Sequence, residues 1–454
     1  MKDTIPEIDI KDDIIKKEFS DVSKHQKDLY STGMRSGAVY HSENVVLNES
    51  IQSSMEEFCF NDASNSQQYK GMAHMEADIL KSTLRLFNGD SDSYALATSG
   101  GTESIISAIA AYKFWAKKEK GITKPNLVYF SSAHAAFIKG CSYMDIEPRE
   151  IPTDENGVAI PSKLHKYIDS NTIAVVWTAC TYAHGTIDNV KEIASIAADY
   201  NVGCHVDNCL GGFVNCFIEY LYDEVLPFDF RNRGVTSISA DTHKYGYGPK
   251  GMSVLMLRPK KLFDYLMYTS VEHSGAPFTV RNLGSNRSGS VIAGTWTAMM
   301  KNGLRGYISK VQRIHNSTKQ IRKEIKRMTD LRLYSPNNSY NMVCFDGITV
   351  NPISVSSKIR ETKGWHLNEL MLPPVVHLLV MESNLNKLDQ FVPDLKEAVE
   401  HVKSKEKIRT YSYQAFYGAV INITDEGIMD VIVGSVLDWE FETSKESAMR
   451  ILDG

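Results

Sequence analysis

Three short runs of the sequence carry residue types that could do chemistry at one centre. The first is Thr98-Ser99-Gly100-Gly101-Thr102-Glu103-Ser104, which follows an apolar stretch and opens a helical pattern. Glycines let backbone amides come close to an anion, the first amides of a helix have no partner within it, and the Thr102 hydroxyl adds a donor. The run reads as a phosphate cradle, or equally as an ordinary turn with Thr102 as the helix cap. The second is Gly203-Cys204-His205-Val206-Asp207-Asn208, where an acid ends an apolar strand. Ligands of open α/β sheets sit at the carboxyl ends of the strands, so Asp207 is expected to point into a site, although a lone Asp there is more often a turn residue or a cap. The third is Ser237-Ile238-Ser239-Ala240-Asp241-Thr242-His243-Lys244-Tyr245, followed by Gly246-Tyr247-Gly248-Pro249-Lys250-Gly251. It sets Lys244 just past another strand end, among glycines and two tyrosines. Most lysines face solvent. A desolvated one has a lowered pKa and can form a Schiff base with an aldehyde.

The three runs fit one cofactor, pyridoxal 5'-phosphate (PLP). It needs a lysine for its aldehyde, an anion cradle for its phosphate, and a carboxylate that keeps its pyridine nitrogen protonated so that the ring withdraws electrons. A competing reading is a metal hydrolase, with ligands drawn from Asp207, Asp241, His205, His243, His134 and His184. That reading leaves the glycines and Lys244 without a role.

Such residues need elements to hold them. Short apolar runs at Tyr94–Thr98, Leu127–Phe130, Ile173–Thr178, Val202–Asp207, Thr236–Ala240 and Met252–Leu257 read as strands. Helical patterns lie between them, as at Thr102–Lys118, where Ile105, Ile109, Tyr112 and Trp115 share a face. This alternation implies βαβ units and an α/β fold with a large, mostly parallel sheet covered on both sides. A long polar helix at Gly306–Met328 leads into a smaller C-terminal α+β part. The expected organisation is an N-terminal arm over 1–60, a large cofactor-binding domain over 61–295 and a small domain over 296–454. The hinge is placed in the Gly- and Ser-rich stretch 284–294.

Composition sets the outer bounds. With 50 basic and 55 acidic residues the net charge is −5, which gives no reason to expect nucleic acid as a partner. The basic run Lys319–Arg327 has helical spacing and reads as a solvated face. Seven cysteines, odd in number and without a Cys-x-x-Cys pair, suit reduced thiols and a cytoplasmic location. The first twenty residues lack the apolar core of a signal peptide, and no stretch is apolar for long enough to suggest a transmembrane segment.

The same residues carry a family likeness. From about Gly33 to near the C-terminus the chain resembles the sphingosine-1-phosphate lyases, fold-type-I PLP enzymes grouped with the group II amino-acid decarboxylases. The carriers are SGAVY (36–40), TSGGTESI (98–105), SAHAAF (132–137), HVDNCLGGF (205–213), VTSISADTHKYGYGPKG (235–251), GWHLNELMLPP (364–374) and AFYGAV (415–420). The resemblance implies that His134 stacks on the PLP ring, that Asp207 bonds the pyridine nitrogen, that Gly101, Thr102 and His243 hold the cofactor phosphate, and that Lys244 forms the Schiff base. It further implies a homodimer with sites shared between subunits, and Tyr40, Lys250, Arg287 and Tyr417 near the substrate. Lys250 and Arg287 suit an anion, and Tyr40 and Tyr417 could donate hydrogen bonds or move protons.

The chain departs from the family pattern where an Asn-Pro-Leu-His-Pro segment that helps to grip the substrate phosphate is replaced by Asp62-Ala63-Ser64-Asn65-Ser66. It also reads Asp207-Asn208-Cys209 for Asp-Ala-Cys, Glu272–Pro277 for a Trp-Gln-Gly-Gly loop, and Ser285–Ser290 for Gly-Ser-Arg-Pro-Gly-Gly. The implied reaction, in sphingolipid metabolism, is a retro-aldol cleavage of a phosphorylated sphingoid base to a fatty aldehyde and phosphoethanolamine, with Tyr40, Tyr417 or Lys244 moving protons. The alternatives are α-decarboxylation of an amino acid on the same cofactor and a PLP-binding homologue without turnover.

Overall fold

A computed structural model describes residues 11–404, apart from 65–66, 224, 273, 276, 335–338 and 372. Tyr417, Asn65 and the AFYGAV segment therefore lie outside the described residues. The chain divides into two compact units, Met34–Val399 and Met1–Gly33 with Glu400–Gly454. In the smaller unit the Asp12–Ser31 helix is described.

The larger unit is built on a seven-stranded sheet. Its strands are β1 (Tyr94–Thr98), β2 (Asn126–Phe130), β3 (Glu147–Ile151), β4 (Thr172–Thr178), β5 (Gly203–Asp207), β6 (Ser237–Ala240) and β7 (Ser253–Leu257). The spatial order is β1-β7-β6-β5-β4-β2-β3, with β7 antiparallel to both neighbours and the other pairs parallel. Strands β2, β4, β5 and β7 are buried at every position, because helices cover both faces; this is why they read as unbroken apolar runs. β3, with sequence Glu-Pro-Arg-Glu-Ile, is at the edge opposite β1 and is largely exposed. The sequence pattern does not reveal it for that reason: a solvated edge has no apolar run to show.

Two smaller sheets follow. β8 (Tyr268–Ser270) and β9 (Phe278–Val280) form an exposed antiparallel pair. β10 (Leu331–Leu333), β11 (Met342–Gly347), β12 (Asn368–Met371) and β13 (Pro374–Leu379) form an antiparallel sheet in the order β10-β11-β13-β12. One element, Gly289–Ile325, carries the chain from the large sheet to this one, with non-helical backbone only at Gly303. The boundaries expected at 60/61 and 295/296 both fall inside Met34–Val399. The physical reason is packing: Leu47 and Ile51 of the Val45–Glu57 helix bury against Ala298, so the supposed arm shares a core with that long helix. The Gly- and Ser-rich stretch 284–294 enters a helix at Gly289, where a side chain would strike Asn61.

Candidate active site

The parallel strands bring their carboxyl ends to one edge of the sheet, and the three runs meet there. A cavity of about 360 Å³ is lined by residues at or just past the ends of β1 (Ser99 to Glu103), β2 (His134), β4 (Thr178, Cys180, Tyr182), β5 (Asp207, Cys209, Leu210) and β6 (Asp241, His243, Lys244). Six of the expected site residues, Gly101, Thr102, His134, Asp207, His243 and Lys244, thus face one space.

The cradle is the start of the Gly101–Lys120 helix. Glu103 ties it down, its Oε2 accepting the Ser99 amide at 2.6 Å and its Oε1 accepting the Leu283 amide at 3.2 Å. Ser104 Oγ bonds Thr98 Oγ1 at 2.7 Å and donates to Ser253 Oγ at 3.0 Å, pinning the turn to β7. Gly101 is required for space: a Cβ there would lie 2.8 Å from Cys209 Sγ and 3.0 Å from Asp241 Oδ1. His243 borders this cradle with a buried Nδ1 that makes no hydrogen bond. Open helix amides, a missing Cβ and an unsatisfied ring nitrogen fit a phosphate.

Asp207 is buried, and its Oδ1 accepts from the Cys209 amide at 2.9 Å and from Ser239 Oγ at 3.4 Å. Behind it a polar chain runs into the core: Ser239 Oγ lies 3.2 Å from His205 Nε2, and His205 Nδ1 lies 2.7 Å from Ser237 Oγ, which also bonds the Tyr112 hydroxyl. Burial holds His205 down at about 4, so the chain is neutral up to the carboxylate. His134 uses Nδ1 to accept the Ala136 amide at 3.1 Å, which fixes its ring beside the cavity and leaves Nε2 as the N–H nitrogen.

Lys244 is not free. Its Nζ lies 3.0 Å from Asp241 Oδ2. Burial is the largest influence and pulls this ammonium down; Asp241 leads the groups that together outweigh it, and the lysine is raised above its ordinary value. Asp241 is buried yet lowered, because Lys244 and His243 offset its desolvation. In the sequence it reads only as a possible metal ligand; its place three residues before the lysine, at a strand end, was the available signal. Among the described residues no group of three or more His, Cys, Asp and Glu side chains converges as a metal site. Of the candidate ligands, His205 is engaged with Ser237 and Ser239, and His184 packs on Tyr334 with ring centroids 5.0 Å apart.

Tyr40 and Lys250 are brought together. Lys250 Nζ sits 4.9 Å over the Tyr40 ring, which meets Tyr245 edge-on at 5.3 Å. Burial pushes the Tyr40 phenol up to about 12, against an opposing pull from Lys244, so it is a neutral donor at pH 7. Lys250 is lowered by burial and then by the like charge of Lys244. Arg287 is placed differently: its guanidinium binds Glu76 through two bonds of 2.8 and 2.9 Å, and its amide donates to Asp62 Oδ1 at 3.1 Å. Asp62 closes a local turn, accepting from the Ser64 amide and hydroxyl at 2.9 and 2.7 Å. Tyr417 lies outside the described residues.

A lysine, a carboxylate, an imidazole and an anion cradle at the strand ends of a mostly parallel sheet define a PLP-dependent enzyme of the α/β class. The comparisons agree: residues 46–347 match the pyridoxal-dependent decarboxylase conserved domain. Mouse sphingosine-1-phosphate lyase 1 is 33% identical over 429 residues, 94% of this chain and 75% of the relative. The Saccharomyces cerevisiae sphingosine-1-phosphate lyase is 31% identical over 441 residues, 96% of this chain and 74% of the relative. The solved structure of a Burkholderia pseudomallei sphingosine-1-phosphate lyase superposes with a TM-score of 0.85 at 29% identity, covering 93% of this chain and 97% of that one. The chain belongs to the sphingosine-1-phosphate lyase family of fold-type-I, PLP-dependent lyases.

Proposed function

We propose that the protein cleaves a phosphorylated long-chain amino alcohol, of the sphingosine-1-phosphate kind, into a fatty aldehyde and phosphoethanolamine. The names of its relatives point to this substrate, and the observation that carries the chemistry is the convergence of Lys244, Asp207, His134 and the Gly101 cradle on one cavity. In this reading Lys244 would hold the coenzyme aldehyde, Asp207 the pyridine nitrogen, His134 the ring, and Gly101, Thr102 and His243 the phosphate. When bound, PLP supplies an electron sink for the pair left on the α carbon as the bond to the β carbon breaks. The protein orients that bond and moves the protons: one leaves the β-hydroxyl as the aldehyde forms, and one is returned to the α carbon. Tyr40 and Lys250 stand beside Lys244 as substrate contacts, with Arg287 and Tyr417 in the same proposed set.

A second reading, α-decarboxylation of an amino acid, is favoured by one feature: Arg287 already carries Glu76, and Asp62 is a carboxylate spent in a turn, so neither position offers a free cation to a substrate phosphate. Incubating the PLP-loaded protein with sphingosine-1-phosphate and with a panel of amino acids separates the two. Aldehyde with phosphoethanolamine is the expected product pair; carbon dioxide without aldehyde would replace the lyase by the decarboxylase. A coenzyme band that shifts with no amine tested would favour the homologue without turnover. A homodimer with shared sites belongs to the same proposal, as does a cytoplasmic location, which the seven free thiols support.

A further inference from the structure

We infer that Asp241 is a positioning residue for Lys244: its carboxylate holds the lysine side chain as an ammonium at the cavity wall whenever that lysine is not covalently engaged. The inference rests on the assignment of Lys244 as the imine-forming lysine. Three observations carry it. Lys244 Nζ lies 3.0 Å from Asp241 Oδ2, with the carboxylate side chain only 3% exposed. The other oxygen, Oδ1, is buried, makes no hydrogen bond of normal geometry, and borders the space left by the missing Cβ of Gly101. Apart from Lys244 its nearest ionisable neighbour is His243, whose Nε2 lies 3.5 Å away and whose imidazole burial lowers.

The surroundings give the ion pair its effect. The other cation near Lys244 is Lys250, whose like charge works against a second ammonium. Tyr40 comes from the segment that crosses this side, Cys180 and Tyr182 follow β4, and Cys209 follows β5; burial pushes all four up, so at neutral pH they are uncharged. Asp207 lines the same cavity but is the carboxylate assigned to the ring nitrogen. A lysine so enclosed would lose its proton without a counter-ion. Asp241 is the leading influence against burial, and raised lysine basicity is the direction the site shows. The two carboxylates thus divide the work: Asp207 for the coenzyme, Asp241 for the lysine.

The proton balance is simple. A substrate amine enters as an ammonium and, with the imine nitrogen protonated before and after, gives up two protons; the lysine nitrogen it displaces takes up two, the last of which makes it an ammonium. Asp241 stays ionised throughout and makes Lys244 Nζ the place where that proton rests. The lysine is then both kept from returning as a nucleophile and ready as an acid beside the reacting carbon.

The test uses the cofactor-free full chain. Lys244 in the wild type, Asp241→Asn and Asp241→Glu is pulse-labelled with an amine-reactive reagent between about pH 6 and about pH 11, a span that brackets the ordinary lysine value, and its modification is read by peptide mass spectrometry. The wild-type midpoint is expected above that of an ordinary lysine. It is expected to fall by about 1–3 pH units in Asp241→Asn and to recover in Asp241→Glu. Reloading with PLP and trapping with borohydride gives the second readout, a faster appearance of the Lys244 adduct in Asp241→Asn at neutral pH. An adduct on Lys244 combined with an unchanged midpoint overturns the inference and leaves the lysine assignment standing. Absence of any adduct on wild-type Lys244 overturns that assignment instead. If Asp241→Asn does not fold, the wild-type midpoint still decides: a value below the ordinary lysine value rejects the role of Asp241.

Discussion

At the scale of single residues, the site sets like side chains in different surroundings. Asp207 ends β5 with its Oδ1 held by the Cys209 amide and Ser239, so its charge is fixed in place before any ligand arrives. Preorganised charge of this kind is worth most where water is excluded. Asp207→Asn is therefore expected to lower kcat by about 10²- to 10³-fold while Lys244 still forms a borohydride-trappable adduct with PLP. Steady-state kinetics beside adduct mapping checks this; loss of the adduct together with the activity would mean that Asp207 holds the fold of the cavity rather than the ring electronics. Asp207 and Lys244 were legible in the sequence because each sits at or just past the end of an apolar strand, where a charged side chain needs a partner to offset its desolvation. Asp241 was not, since a carboxylate three residues before a lysine is unremarkable until both are known to be buried.

At the scale of elements, two devices hold the cavity open. One is the helix start at Gly101, where an added methyl would meet Cys209 and Asp241. Gly101→Ala is expected to weaken PLP binding about tenfold or more, a cost of about 1.4 kcal/mol, and to lower the thermal midpoint of the cofactor-free chain as well, because the new Cβ must displace the buried Cys209 thiol; fluorescence titration measures the first and calorimetry the second. The other device is a buried clamp. Lys310, on the Gly289–Ile325 helix, pairs with Glu382 and bonds Ser42 Oγ at 2.5 Å, while Glu382 Oε2 also accepts the Ser42 hydroxyl at 2.8 Å. The same ammonium sits 4.7 Å over the Tyr247 ring. It thereby joins the segment that carries Tyr40 to the loop that carries Lys244. Lys310→Met leaves Glu382 with Arg313, 3.3 Å from its Oε1, and the Ser42 hydroxyl as its remaining partners and is expected to cost about 1–3 kcal/mol, read from urea unfolding. Lys310→Met with Glu382→Leu is expected to recover part of that, because two neutral side chains carry no desolvation penalty. None of this clamp was visible in the sequence, where its members lie up to 340 positions apart.

At the scale of the whole molecule, burial of titratable groups sets how the fold responds to acid. His184, His205, His315 and His377 are enclosed, and burial lowers each to about 4. In the unfolded chain they titrate near about 6.5. Between those values the unfolded state takes up protons that the native state does not, so the stability they contribute is complete above about pH 6.5 and is lost as the pH falls toward 4. Asp188 works the other way: burial raises it to about 7, and its contribution is present at low pH and lost as the pH rises through that value. Glu219 and Glu369 are raised by burial as well, and His41, His243 and His366 are lowered by it; imidazoles still outnumber carboxyls, so the urea midpoint is expected to drop from pH 7 to about pH 5, and a midpoint that stays flat would show that the imidazoles are solvated. By itself the sequence determined the strands that read as apolar runs, the α/β alternation, and the coenzyme, because these depend on side-chain type and local spacing. Only the tertiary structure decided that Asp241 faces Lys244, that Arg287 is already paired with Glu76, and that residues 34–60 share a core with the long helix. Each of these is a choice of partner, and a partner is fixed by how distant segments pack, which no local pattern of residues records.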